Sequence, residues 1–169
     1  ALEVVNPRVR AEETLLTEQR LPILARIPRM SKRMISGVLA GRALPGDVRE
    51  AYRTLRANLS AASPTGTFPQ TILVTSSIPG EGKTMTAVHL ARTLAKGNLR
   101  VILVDGDLRR PMVSSFFGVP SHRSTFAGLL LGSTKVKDAL IPAPGYGEGM
   151  QLVLANPEHG LLIDLLQTE

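Results

Sequence analysis

The stretch Ile72-Leu73-Val74-Thr75-Ser76-Ser77-Ile78-Pro79-Gly80-Glu81-Gly82-Lys83-Thr84 decides the fold of this chain. An apolar run leads into a loop with two glycines, and a helical pattern follows. The run at 71–75 is typical of a strand buried on both faces of a parallel sheet. Residues 84–96 predict a helix that ends at Gly97. Strand, glycine loop and helix in this order predict a phosphate-binding loop.

The chemistry of such a loop follows from its backbone. Gly80 and Gly82 let successive N–H groups turn towards phosphate oxygens, and the new helix adds the positive end of its dipole. Lys83 would reach the β- and γ-phosphates, and the Thr84 hydroxyl would bind a Mg²⁺ that bridges them. The sequence therefore predicts a site for ATP or GTP. The predicted nucleotide-binding residues are Ser77, Gly80, Glu81, Gly82, Lys83, Thr84 and Met85.

Two other interpretations of the loop stay open at this point. The usual pattern opens with glycine where this chain has Ser77, so the segment could be a plain strand-to-helix turn. Gly80-x-Gly82 with Asp105 after the next strand also fits a dinucleotide-binding turn. That motif, however, needs Gly or Ala where Met85 stands, and it has no use for Lys83.

A second acidic motif follows the next apolar run, in Val101-Ile102-Leu103-Val104-Asp105-Gly106-Asp107-Leu108-Arg109-Arg110-Pro111. Because the carboxyl ends of neighbouring parallel strands meet at one crevice, Asp105 and Asp107 should lie beside the γ-phosphate and its metal. Either could hold a metal-bound water or accept a proton from an attacking hydroxyl. Alternatively, both could cap the following helix. We predict Lys83, Asp105 and Asp107 as catalytic residues, and Thr84, Asp105 and Asp107 as metal ligands.

The remaining pattern alternates between helices and strands. Asp47 and Glu50 have capping-box spacing, and apolar residues then recur at helical intervals over 47–61. Further helices are predicted at 111–117, 124–131, 135–140 and 161–167, and strands at 100–104 and 151–154. The alternation predicts an α/β fold similar to P-loop NTPases, with three α/β/α layers around a mainly parallel sheet.

Composition and length limit the possible classes of protein. The chain has 169 residues, of which 43% are hydrophobic and 20% charged, as expected for one globular domain rather than a disordered chain. It has no cysteine, which excludes disulfides and thiolate metal sites. No run approaches the roughly 18 apolar residues of a membrane span, so we expect this piece to be soluble.

The positive charge lies at the front of the chain. Residues 1–60 hold 11 Lys/Arg against 6 Asp/Glu, whereas 61–169 hold 9 against 8. No acidic residue stands between Glu18 and Asp47. Residues 1–46 therefore form a basic extension, with a short strand near 23–27 followed by a loop, that is either a solvated linker or a segment held against anionic lipid. Nucleic acid is not indicated, because aromatic residues do not interleave with the basic ones.

Three motifs together resemble the bacterial tyrosine autokinases of exopolysaccharide and capsule assembly, the cytosolic part of polysaccharide co-polymerases. They are the glycine loop at 75–84, Asp105-Gly106-Asp107-Leu108-Arg109, and Glu50-x-x-Arg53-x-x-Arg56. The front of the chain also resembles the stretch just after the second transmembrane helix of single-chain members. Residues 47–169 would then be a nucleotide-binding kinase domain.

The resemblance implies autophosphorylation on tyrosine in trans, with ATP as donor and Mg²⁺ held by Thr84, Asp105 and Asp107. It implies a ring of identical subunits, in which the helix with Glu50, Arg53 and Arg56 packs against a neighbour's nucleotide site. From spacing alone, an ion pair within that helix is also compatible. It also implies polysaccharide assembly and export machinery as partners, at the cytoplasmic face of the bacterial inner membrane.

Two departures from the family pattern bear on this interpretation. The third motif, an apolar run ending in Asp-x-Pro, is not found, and 161–166 is a poor candidate. Tyr52 and Tyr146 are the only tyrosines, so a tyrosine-rich tail is missing. We expect the chain to be cut short at both ends. The alternatives are a non-catalytic nucleotide-binding domain that controls polysaccharide chain length by oligomerising, and a ParA/MinD-type ATPase, whose extra lysine is not present at Ile78 or Pro79.

Overall fold

The computed structural model describes residues 21–63, 67–120 and 125–156. The predicted helix at 161–167, the poor candidate for a third motif at 161–166 and the first 20 residues of the basic extension lie outside these ranges.

Within the described ranges the sheet has three strands: β1 (Val101–Val104), β2 (Ile141–Pro142) and β3 (Met150–Val153). Their spatial order is β1-β3-β2. The longer pair, β1 with β3, is parallel, with Val101 opposite Met150. The shorter pair, β2 with β3, is antiparallel. The predicted strands at 100–104 and 151–154 are confirmed, whereas β2 was not predicted.

Six α-helices pack around this sheet in the described part of the chain. The helices predicted at 47–61, 84–96, 111–117, 124–131 and 135–140 are confirmed with ends within about two residues. Gly118, at φ +60°, ends α4 because glycine adopts the left-handed conformation without a steric penalty. A single 3₁₀ turn at Gly147–Gly149 precedes β3. The helices are α1 (Lys32–Leu39), α2 (Gly46–Ala61), α3 (Lys83–Lys96), α4 (Val113–Phe117), α5 (Phe126–Leu130) and α6 (Val136–Ala139).

The predicted strand at 71–75 is wrong, because these residues are not part of the sheet. Burial alternates along the segment: Ile72 and Val74 are half-buried and line a cavity with Ala87 of α3 and Leu103 of β1. Leu73, in contrast, is 88% exposed. The apolar run therefore covers the sheet with one face only. Its β-branched composition was not evidence that both faces are buried.

The basic extension is more structured than predicted. No strand forms at 23–27, and the predicted loop contains α1 instead. Ser31 caps α1 by accepting a hydrogen bond from the Met34 N–H at 3.3 Å. The extension also contacts the rest of the domain, since the Asn58 side chain donates to the Leu24 carbonyl at 2.7 Å. The domain boundary at 46/47 stays a prediction.

Helix α2 begins one residue before the predicted capping box. Its N-cap is Pro45, which makes no side-chain capping bond, so the proposed cap at Asp47 is wrong. Asp47 lies in the first turn, where its charge suits the helix dipole. Val48 and Tyr52 form the buried face of α2.

The core lies between one face of the sheet and helices α3 and α4. Leu103 of β1 and Leu152 of β3 meet Val88 of α3 there, and Phe116 and Phe117 close the end of the cluster. The other face of β1 is open, with Ile102 55% exposed. This packing fixes the start of α3 beside the carboxyl end of β1, where the glycine loop and the acidic motif should meet.

Candidate nucleotide-binding site

The glycine loop has the backbone that the sequence predicts. Gly80 has φ +87° and Gly82 φ +96°, in the left-handed region that glycine adopts without strain. A β-carbon at either position would meet no atom within 4 Å. The two glycines are therefore required by backbone conformation rather than by crowding. Gly82 is also the N-cap of α3, so the loop delivers its N–H groups to the positive end of a 14-residue helix.

The Glu81 side chain accepts hydrogen bonds from the backbone of the glycine loop. Its Oε2 accepts hydrogen bonds from the Ser77 N–H at 3.0 Å and from the Ile78 N–H at 3.3 Å. Two amides at the start of the loop thus already point at an anionic oxygen. These two hydrogen bonds were not predicted from the sequence. The predicted nucleotide contacts of Ser77 and Glu81 stay predictions.

Lys83 and Asp107 meet across the crevice. The ammonium Nζ of Lys83 lies 2.6 Å from Oδ2 of Asp107, although 24 positions separate them in the chain. Both side chains are partly exposed, at 37% and 23%. The start of α3 and the carboxyl end of β1 therefore converge on one point, as the sequence predicts.

Asp107 is held in its ionised form. Burial alone would raise the pKa of its carboxyl, but the hydrogen bond from Lys83, the bond from the Arg110 N–H and the charge of Lys83 outweigh burial and lower it. The Arg110 N–H lies 3.0 Å from Oδ1 of Asp107. At neutral pH the site thus presents a fixed negative oxygen next to a lysine that can change partner.

Asp105 has a different environment, with only 4% of its surface exposed. Its Oδ2 accepts hydrogen bonds from the N–H groups of Met112 and Val113, both at 3.0 Å, and Oδ1 accepts one from Asp107 at 3.2 Å. Burial raises the pKa of Asp105, although these bonds oppose the rise. The alternative role considered above, in which an aspartate caps the following helix, describes the contacts of Asp105 well.

Thr84 and Asp107 supply oxygen ligands of the kind that magnesium binds. Thr84 lies half-buried in the first turn of α3, and Asp107, which bonds to the preceding Lys83, offers a partly exposed carboxylate. In the described part of the chain no group of three or more His, Cys, Asp or Glu could hold a metal alone. Magnesium usually binds one or two protein oxygens together with phosphates and water, so Thr84 and Asp107 fit the ion with a nucleotide present. Asp105 suits an indirect contact, because its oxygens are already engaged.

Met85 and Tyr52 support the start of α3 from the inside. The Met85 side chain packs against the core cluster, so its backbone N–H is the part that can face a phosphate. Tyr52, only 1% exposed, reaches Thr86 with its hydroxyl, and burial raises its pKa. A hydroxyl so enclosed is not a phosphate acceptor in this fold. Tyr146 is half-buried and more accessible.

The three predicted interface residues lie on α2, and the structure places Arg56 far from the glycine loop. Glu50 and Arg53 form an exposed ion pair at 3.2 Å on α2, which is the intrahelical pair considered above. The Arg56 guanidinium occupies the space that a β-carbon at Gly97 would fill. Since a helix rises about 1.5 Å per residue, this end of α3 lies roughly 20 Å from Lys83. A contact between Arg56 and a nucleotide site therefore requires a second subunit.

The glycine loop, its lysine and the aspartate after β1 define a P-loop nucleotide-binding domain. The family model described as "CobQ/CobB/MinD/ParA nucleotide binding domain" matches residues 72–160, more than half of the chain. The chain belongs to this family. No helix of the described residues is long and apolar enough to cross a membrane.

Several relatives of the chain carry the name of a tyrosine kinase. Tyrosine-protein kinase YwqD of Bacillus subtilis is 43% identical over 68 residues, which are 40% of this chain and 28% of that protein. Tyrosine-protein kinase CpsD of Streptococcus pneumoniae is 41% identical over 68 residues, 40% of this chain and 29% of that protein. The chain thus spans less than a third of the length of these two relatives.

A solved structure extends the similarity to nearly the whole chain. The BceF tyrosine kinase domain matches with a TM-score of 0.73 and 25% identity, over 94% of this chain and 66% of that one. The resemblance to bacterial tyrosine kinases inferred from three motifs is confirmed by these comparisons, and so is the P-loop α/β fold class.

Proposed function

We propose that the chain is the ATP- and Mg²⁺-dependent kinase domain of a protein that phosphorylates tyrosine in exopolysaccharide or capsule assembly. The observation that carries the proposal is the Lys83–Asp107 pair, which joins the glycine loop to the acidic motif at 2.6 Å. The names of the relatives YwqD, CpsD and BceF support the type of reaction.

Each residue of the site would have a separate role in phosphoryl transfer. The N–H groups of 80–84 would hold the phosphates, and Lys83 would move from Asp107 to the β- and γ-phosphate oxygens. Thr84 and Asp107 would then hold the Mg²⁺, which neutralises the charge that develops on the transferred group. Asp107, held ionised, can also accept the proton of the attacking hydroxyl. Asp105 would position Asp107 by accepting its N–H.

The kinase assay that tests this function follows two products in the same reaction. The full-length gene product is incubated with Mg·ATP, and phosphotyrosine and released inorganic phosphate are measured together. We expect phosphotyrosine to form and to depend on both ATP and Mg²⁺. Phosphate release without phosphotyrosine would favour an ATPase, which the MinD and ParA members in the family's description keep open. Binding without either product would favour a non-catalytic nucleotide-binding domain that sets polymer length.

The proposed partners are other copies of the chain and the polysaccharide assembly and export machinery. A ring at the cytoplasmic face of the bacterial inner membrane would place α2 of one subunit against the nucleotide site of the next. Replacing Arg53 and Arg56 by alanine should then convert the ring to monomers, because two cations of α2 would be lost. Sedimentation velocity measures the assembly, and an unchanged sedimentation coefficient in the double variant would remove α2 from the interface.

A further inference from the structure

A second cavity lies between α2 and α3, at the far end of α3 from the glycine loop. It encloses about 370 Å³. Five arginines and a lysine contribute to its lining, and no Asp or Glu does. The basic residues come from the end of the loop after α1, from α2 and from α3: Arg42, Arg49, Arg53, Arg56, Arg92 and Lys96. We call this the basic cavity.

Two buried polar atoms of the basic cavity have no partner in the described structure. His89 is only 4% exposed, and its Nε2 makes no hydrogen bond. The Nε of Arg92 is likewise buried without a partner. Buried polar groups in folded proteins are nearly always hydrogen-bonded, so this unsatisfied pair is unusual, and both residues contribute to the lining of the basic cavity.

The surroundings hold both side chains in place. The His89 ring lies 5.5 Å from the Tyr52 ring and meets the Phe116 ring edge-on at 6.1 Å. The Arg92 guanidinium stacks over Phe117, 4.5 Å from its centroid, and donates to the Phe116 carbonyl. The unpaired atoms are therefore fixed by packing rather than free to turn into solvent.

The positive charges that line the basic cavity are mostly not paired with carboxylates in the described part of the chain. Glu50 pairs with Arg53, whereas the other five cations form no ion pair within the described ranges. Burial, followed by the charge of Arg92, lowers the pKa of His89 to about 4, so its ring is neutral at pH 7. Burial also lowers the pKa of Arg92. A ligand that relieves this concentration of charge must itself carry several negative charges.

We propose that the basic cavity binds a soluble, multivalent phosphate, of the di- or triphosphate class, at a site separate from the glycine loop. Its volume falls within the usual range for small-molecule sites, roughly 300–1,000 Å³. Arginine forks match phosphate oxygens in pairs, and five arginines contribute to the lining. A single phosphomonoester would leave most of the cations unmatched. The inference does not depend on kinase activity.

The test uses the full-length protein with Lys83→Met, which weakens phosphate binding by the glycine loop, and the His89 signal and the charge variants below identify the site. Inorganic tripolyphosphate is titrated by calorimetry, and the ring signals of His89 are followed by NMR. Since the chain has three histidines, a His89→Gln spectrum assigns the signal. We expect saturable binding, a shift of the His89 signal, and at least tenfold weaker binding of inorganic phosphate at the same ionic strength.

Two charge-removal variants decide whether the site is the basic cavity. Arg49→Ala with Lys96→Ala removes two exposed cations of the lining and avoids the proposed subunit interface. It should weaken tripolyphosphate binding at least tenfold. Arg33→Ala with Lys137→Ala removes the same charge elsewhere and should change binding less than twofold.

Four results would overturn the proposal. They are equal weakening in the two charge variants, saturation without a shift of the His89 signal, no saturable binding, and binding of the protein to anionic phospholipid vesicles in place of tripolyphosphate. A nucleoside triphosphate that binds as tightly as tripolyphosphate, or more tightly, would support the proposal. Failure of the kinase assay alone would leave this result unaffected, because the Lys83→Met background already lacks that activity.

Discussion

Replacing Lys83 by methionine should lower ATP-dependent tyrosine phosphorylation at least about 100-fold, the usual effect of removing a group that stabilises developing charge. Methionine keeps the length of the side chain but loses the ammonium that now lies 2.6 Å from Asp107. Without it, the phosphates lose a charge-assisted contact, and Asp107 loses its counter-ion. Initial rates of phosphotyrosine formation by the full-length protein, at saturating and limiting ATP, separate the effect on turnover from the effect on affinity.

The matched control is Lys135→Met, because Lys135 is exposed and lies outside the glycine loop and acidic motif. It should retain the wild-type rate within about twofold. A Lys83→Met protein that is folded and phosphorylates at a rate similar to wild type would exclude the glycine loop as the donor site. Circular dichroism shows whether the Lys83→Met protein is folded. If it is not, the test is repeated with Lys83→Arg, which keeps the charge.

The nucleotide site could be predicted from sequence because its signals are local. Two glycines, a lysine and the start of a helix lie within five residues, and the apolar run of β1 ends directly at its aspartates. The meeting of Lys83 with Asp107 follows from one further rule, that parallel strands and their crossover helices share an edge. No more distant contact was needed for this part of the prediction.

The parts that were wrong or missed depend on tertiary context. The run at 71–75 has the composition of a buried strand, but its partners in space decide whether a ladder forms, and Leu73 faces outwards. β2 has only two residues and is defined by its pairing with β3. The residues that line the basic cavity lie at 42–56, 89–96 and 146, so no single motif in the sequence predicts it. Composition showed only that positive charge is concentrated towards the front.

Replacing Asp105 by alanine should destabilise the domain by about 4 kcal/mol, which separates its structural role from that of Asp107. Its carboxylate is 4% exposed and receives three backbone N–H groups, of which that of Val113 is buried and those of Asp107 and Met112 are partly buried; a buried donor left unsatisfied costs about 1–3 kcal/mol and a partly buried one less. Asp107→Ala should cost less than about 1 kcal/mol, because its partner Lys83 is partly exposed. Urea unfolding followed by circular dichroism gives both free energies.

Asp105→Asn completes the comparison and adds a pH dependence. Its amide oxygen can still accept from Met112 and Val113, so the loss should be about 1–2 kcal/mol. Because burial raises the folded-state pKa of Asp105, the folded protein holds this proton more tightly than the unfolded chain does. The part of the stability that depends on the titration of Asp105 is therefore fully present below its unfolded pKa, about 4, and is lost as pH rises through its folded pKa. The stability of the wild type relative to Asp105→Asn should accordingly fall with rising pH; a difference that grows instead would mean that the three hydrogen bonds outweigh burial and that Asp105 is held ionised, like Asp107.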